Sequence, residues 1–167
     1  MDNFLFDDED LLNPNSDQYF LFITGGEKYA LNALCVVEIL ECTPYTKVPK
    51  CNSYIKGIVN IRGTLVGIID LQERFGLGMT EIKHKTSIVI IKSTQNHDEH
   101  IMGVIIDEIF EVDGLDPNSF LDVPSFGTKI DKKFIKNIAK YNNEELIVLD
   151  ENGICNLDEI ATVRDTL

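Results

Sequence analysis

The feature that most limits what this chain can fold into is an internal repeat. Residues 54–70, YIKGIVNIRGTLVGIID, fall without a gap on residues 134–150, FIKNIAKYNNEELIVLD, at an offset of 80. Ile55, Lys56, Ile58 and Asp70 meet Ile135, Lys136, Ile138 and Asp150. Tyr54/Phe134, Ile68/Val148 and Ile69/Leu149 agree in size and polarity. Each stretch has the alternation of a hairpin, turning near Arg62-Gly63-Thr64 in the first and at Asn142-Asn143 in the second. Alternation alone is common to all half-buried hairpins. The identities laid over it point to two-fold pseudo-symmetry. That implies two small β-barrels, each curled on itself to hide its edges, meeting at an apolar seam.

The remaining segments fit the same plan. QYFLFITGGEKYALNAL is two extended runs around Gly25-Gly26, a pair that accepts positive φ cheaply. VVEILE is a short apolar-acidic segment, and PKCNSYI is a turn. DLQERFGLG is a helical turn stopped by Gly76 and Gly78. SIVIIKS and HIMGVIIDEIFEV flank the polar stretch Thr94 to Glu99 as one hairpin. DPNSFLDVPSFGTKI is a loop, and NLDEIATVRD is a short helix capped by Asn156. The expected class is all-β: two SH3- or OB-like five-stranded barrels sharing a hydrophobic core, with short helices. Residues 18–160 would form these intertwined lobes, between an acidic flexible tail (1–17) and a C-terminal tail (161–167). The apolar inserts Phe4-Leu5-Phe6 and Leu11-Leu12 are either a docking motif or part of a solvating tail.

Charge narrows the function classes. The net charge is −13, and the first 17 residues carry six acidic side chains and no basic one. Such a polyanion repels phosphate backbones and anionic membrane surfaces, so no nucleic-acid partner is expected. Lys129, Lys132, Lys133 and Lys136 are the only bunched cations. There is no long apolar run of the roughly 18 residues that insertion in a membrane needs, and the acidic start is unlike a signal peptide. A cytoplasmic location is expected.

Motifs for chemistry are missing. The chain has no G-x-x-x-x-G-K-[ST], G-x-S-x-G or H-E-x-x-H. Cys35, Cys42, Cys51 and Cys155 form no C-x-x-C pair and read as buried or incidental thiols. NHDEH places His97, Asp98, Glu99 and His100 in a hairpin loop, where an exposed loop is preferred to a metal site. DENGIC lacks calcium-loop spacing and reads as a plain turn at Asn152-Gly153. No catalytic residue, metal or cofactor is expected, and the chain is not expected to be an enzyme.

VVEIL, KVP, IKGIVNIRG and IIDL, followed by MGVIIDEIFEV in the second half, resemble the pattern of the CheW family, the adaptor proteins of bacterial chemotaxis. The resemblance covers roughly Gln18 to Ile160. Departures are Glu41-Cys42 where a basic residue and proline are common, Gly67 where proline is usual, and Asn137 for a common glycine. What the resemblance implies is a scaffold that couples chemoreceptors to the histidine kinase CheA. Its partners would be the kinase regulatory domain and the cytoplasmic tip of a receptor, met in arrays at the inner face of the membrane. The resemblance implies kinase contact at Lys56, Gly57, Asn60 and Arg62. For the receptor it implies a groove between the lobes with Val36, Glu38, Ile39 and Arg62, although Val36 and Ile39 read equally as core. Arg62 is expected to pair with Glu38. A stand-alone small-ligand-binding barrel is the alternative, together with the adaptor part of a receiver-fused protein. The latter is disfavoured by a chain ending at Leu167.

Overall fold

The structure, a computed structural model, describes residues 17–42, 46 and 52–160. Of the expected tail 1–17, residues 1–16 lie outside the described residues, as do Cys51, the KVP motif and residues 161–167, while Asp17 opens the first strand, where it faces Leu115. Among the described residues ten strands carry the fold: β1 (Asp17–Thr24), β2 (Glu27–Asn32), β3 (Val36–Glu41), β4 (Ile55–Ile61), β5 (Thr64–Asp70), β6 (Ser87–Gln95), β7 (Asp98–Ile106), β8 (Glu108–Leu115), β9 (Ile135–Tyr141) and β10 (Glu144–Leu149). Three single helical turns accompany them: α1 (Leu71–Arg74), α2 (Glu151–Ile154) and α3 (Leu157–Ile160). Asn156 caps α3, accepting from the amides of Asp158 and Glu159.

The strands form two five-stranded sheets, ordered β3-β6-β7-β5-β4 and β8-β1-β2-β10-β9. The all-β, two-lobed expectation therefore holds. The lobes are not the two halves of the chain. The first lobe is β3 to β7, while the second joins the N-terminal hairpin β1–β2 to β8, β9 and β10. Its joint is a parallel pairing of Tyr29 with Ile147 and Ala30 with Val148. The matching joint in the first lobe is β5 against β7, with Gly67 opposite Met102.

The repeat extends to register. In the first lobe Ile55 faces Ile69 and Gly57 faces Ile68, so Lys56 is an extra residue. In the second, Ile135 faces Leu149 and Asn137 faces Val148, leaving Lys136 extra. Each barrel is closed by a two-bond bridge, Thr46 with Ile58 and Leu121 with Ile138. Bulges also match: Val37 is skipped where β3 pairs β6, and Phe110 where β8 pairs β1.

Two sequence expectations need correction. HIMGVIIDEIFEV is split between sheets, with a break at Asp107 whose amide donates to Ile23 O and whose carboxylate accepts from Gly25 N. Its apolar run is continuous because strands buried on both faces show no alternation. Asn152-Gly153 is not a plain turn but the middle of α2, because Asp150 Oδ1 accepts from both amides at 2.9 and 3.3 Å and nucleates the helical turn.

Among the described residues three apolar clusters result. One fills the first barrel around Val66, Ile68, Ile88, Ile90 and Ile105. A second fills the other barrel around Tyr19, Leu21, Leu146 and Val148. The largest is the seam between the sheets, including Tyr29, Ile69, Phe75, Val104, Phe134 and Leu149. The run Ile88-Val89-Ile90-Ile91 thus faces barrel, seam, barrel, seam. Full burial of each such side chain contributes about 1.5–3 kcal/mol.

Candidate functional site: the first-lobe edge and the lobe seam

The two outer strands of the first sheet, β3 and β4, come together as the barrel closes, and a polar contact ties them. Arg62 Nη2 donates to Glu38 Oε1 at 2.8 Å, with 77% of the Arg62 side chain exposed against 13% for Glu38. The carboxylate is the anchored partner and the guanidinium is the displayed one. The second lobe has its own tie between its outer strands, where Tyr141 Oη donates to Asp113 Oδ2 at 2.9 Å. Burial, followed by that acidic neighbour, pushes the Tyr141 hydroxyl up to about 12, so it stays a donor at neutral pH.

Arg62 sits in an uncommon backbone state. It and Gly63 are the central residues of the β4–β5 turn, with φ of 52° and 86°. A right-twisted hairpin favours two positive φ angles here, which costs a side-chain-bearing residue about 1–2 kcal/mol. The matching residue in the second lobe is Asn142, at φ 50°, a type better suited to that state. Asn60 supports the turn by accepting from Gly63 N at 2.8 Å.

The other candidate residues divide into displayed and spent groups. Lys56 stands at the β4 bulge and pairs with Glu73 of α1 at 2.5 Å, both side chains being mostly buried. Gly57 is buried directly after it, whereas Asn60 is exposed. Val36 and Ile39 are half-buried and pack against the seam cluster. Two apolar residues missed in the sequence flank this region: Val37, 50% exposed, and Leu65, 67% exposed. Val37 is turned outward by the bulge, and only alignment of VVE with IFE at positions 109–111 would have marked it.

A second polar feature crosses the seam. Arg74 is buried, donates to Ile154 O at 3.0 Å and Gly153 O at 3.1 Å, and pairs with Glu159 at 2.5 Å. Its guanidinium lies over the rings of Tyr54 and Phe134, 4.8 and 4.9 Å from their centroids. Hydrogen bonds from Arg74, and next from Lys133, hold the Glu159 carboxyl below its ordinary value of 4.5. A carboxyl depressed by folding adds stability that is present above pH 4.5 and lost as pH falls through the lower folded-state value. Glu159→Gln is therefore expected to flatten the acid limb of a stability-versus-pH curve below about pH 4.5. Chemical denaturation at a series of pH values checks this, and parallel acid limbs for the two proteins would contradict it.

No chemistry gathers at these places. Cys35 and Cys155 are buried, and burial pushes both thiols up to about 12, so neither is a thiolate nucleophile at neutral pH. Cys42 is half-buried against the first-barrel cluster. His97 is exposed at the β6–β7 turn and His100 is half-buried on β7. Among the described residues no group of three or more His, Cys, Asp or Glu is placed to hold a metal ion. Also among them, no helix is long and apolar enough to cross a membrane.

Paired barrels filled by their own side chains, fused along an apolar seam and edged by an anchored ion pair, define a two-lobed β-scaffold. Residues 18–159 match the family model described as the CheW-like domain, and the chain belongs to that family. Its relatives include the chemotaxis protein CheW of Klebsiella aerogenes, 24% identical over 146 residues and covering 87% of this chain and 86% of that protein. The CheW of Bacillus subtilis is 29% identical over 138 residues, 83% of this chain and 86% of its own. A crystal structure of the scaffolding protein TtCheW from Thermoanaerobacter tengcongensis superposes with a TM-score of 0.76 at 29% identity, covering 86% of this chain and 90% of that one. The chain is thus a chemotaxis coupling adaptor.

The family departures have local explanations in part. A Cβ at Gly67 would meet Met102 Sδ at 3.3 Å, so this glycine suits the methionine opposite. Asn137 is half-buried at the bulge position that Gly57 fills in the first lobe. Glu41 is exposed, and nothing in the structure explains it.

Proposed function

We propose that this chain holds a CheA-type histidine kinase and a chemoreceptor in one assembly, without turnover of its own. The observation that carries this reading is the Arg62–Glu38 pair, a displayed cation on an anchored carboxylate, with exposed Val37 and Leu65 nearby. Exposed apolar residues around one fixed charge suit a protein interface better than solvent. In this reading the kinase regulatory domain meets the β4–β5 hairpin at Asn60 and Arg62, with Lys56 and Gly57 shaping the strand from behind. The receptor tip lays an apolar helical stripe in the groove bordered by Val36, Glu38 and Ile39, and Arg62 serves both contacts. Recruitment to receptor arrays at the inner membrane face follows from those partners.

Titration of the chain with a kinase regulatory domain and, separately, with a receptor-tip helical hairpin tests the reading. Val36→Asp is expected to weaken receptor binding at least about tenfold while kinase binding survives. Loss of both with loss of fold would mean that Val36 serves only the seam. Failure of the unaltered chain to bind either partner would end the proposal.

A further inference from the structure

Because the lobes repeat, the segments that leave their helical turns, α1 and α2, can be compared directly. After α1, the segment 76–86 is held mainly by its own lobe. Buried Asp70 accepts from Thr80 N and Thr80 Oγ1 at 2.7 and 2.6 Å, and Gln72 donates to Leu77 O at 3.0 Å. One exposed pair, Lys85 with Glu108 at 3.5 Å, reaches the second lobe. After α2 the arrangement differs. Segment 152–160 comes after the second lobe in the chain, yet three separate elements of the first lobe grip it.

Gln95, at the end of β6, donates to Cys155 O at 2.7 Å and accepts from Leu157 N at 3.0 Å. Thr94 N donates to Asn152 Oδ1 at 3.2 Å. Arg74 of α1 takes two carbonyls and the Glu159 carboxylate, and Asn52, just before β4, donates to Glu159 O at 3.1 Å. Ile154 and Cys155 are wholly buried in the seam, and Ile160 packs against it. Val36 and Ile39 pack against the same cluster. Apolar contact is non-directional, whereas hydrogen bonds add a directional constraint on the angle.

We infer that segment 152–160 is a latch that sets the angle between the two lobes, and through it the width of the groove bordered by Val36 and Ile39. The consequence for the groove rests on the receptor reading above; the latch itself does not. Releasing the latch frees the lobes to move about the apolar seam while each barrel, closed by its own bridge and core, stays folded.

The test uses the full chain, with Cys42→Ser and Cys51→Ser and spin labels at Glu99→Cys and Lys140→Cys, one exposed site in each lobe. The latch variant is Gln95→Ala with Glu159→Ala. The inter-label distance distribution is expected to broaden about twofold, and exchange of the Leu157 amide to quicken at least about tenfold, with β6 and β10 amides still protected. The single variant Gln95→Ala shifts both readouts in the same direction to a smaller extent, and covers the case in which the double variant does not fold. An unchanged distribution with a freed Leu157 amide would overturn the inference, since the seam alone would then hold the angle. So would loss of protection in both barrels of the single variant together with that of the latch. Receptor-tip affinity, measured alongside, is expected to fall in the latch variant. If the unaltered chain does not bind the tip, the receptor reading fails while the label distances still decide the latch.

Discussion

Gly153→Ala is expected to be the most damaging conservative change in this protein. A Cβ on Gly153 would stand far inside van der Waals contact with Lys133 O and 2.9 Å from its carbonyl carbon. Both atoms are backbone, so no rotamer change relieves the contact. Nor can Gly153 swing aside, because its amide is held by Asp150 and its carbonyl by Arg74. The 3-10 turn Lys132–Phe134 that carries the clashing oxygen is fixed in turn, since Asp150 N donates to Phe134 O at 2.8 Å. Overpacking of this kind costs about 3 kcal/mol or more, which for a chain of this size lowers the melting temperature by roughly 6–12 °C. Thermal melting reads it directly. A variant that melts within about 2 °C of the parent would mean that α2 does not pack directly on the Lys133 backbone.

Arg62→Asn is expected to leave the fold intact and abolish coupling. The substitution takes away an exposed ion pair worth about 0–1 kcal/mol. In return it puts asparagine, the residue of the matching turn in the other lobe, at a positive φ that arginine tolerates poorly. The two effects nearly offset, so the melting temperature should move by no more than about 3 °C. What disappears is the planar fork, which can grip two acceptors at once and which no amide replaces. In a reconstituted receptor–adaptor–kinase mixture, kinase activation is expected to fall at least about tenfold, as for a central interface residue. Arg62→Asn that melts normally and still activates fully would sink the assignment. If it unfolded, the residue would be architectural, and the near cancellation of ion pair against backbone strain would be wrong.

Much of the chain was legible because its signals are local. The positions of the hairpins at Gly25-Gly26, Arg62-Gly63 and Asn142-Asn143 follow from turn chemistry acting over two or three residues. The pairing of Arg62 with Glu38 is less local: the sequence offered Glu38 only as a candidate partner, and the contact exists because barrel closure brings β3 beside β4, its opposite edge in the sheet order. The partner residues themselves rest on family resemblance, since neither composition nor spacing distinguishes a displayed asparagine from one that supports a turn. Lys56 shows the limit: its position in IKGIVN suggests display, but the bulge turns it toward Glu73.

The repeat, read from sequence alone, determined that the fold is doubled and all-β, and where its strands turn. Only the tertiary structure decided which strands share a lobe. The N-terminal hairpin belongs with β9 and β10, more than 100 residues away in the chain, because its two faces complete both a barrel interior and the seam. The same holds for Arg74. In the sequence it is one cation in a short helical turn, and no local pattern marks it as buried. Its place under Tyr54 and Phe134, with carbonyl and carboxylate partners some 80 residues distant, exists only once the lobes close. Turn propensity and alternation are properties of neighbours along the chain, whereas strand choice and the burial of a charge depend on which distant groups can desolvate and satisfy one another.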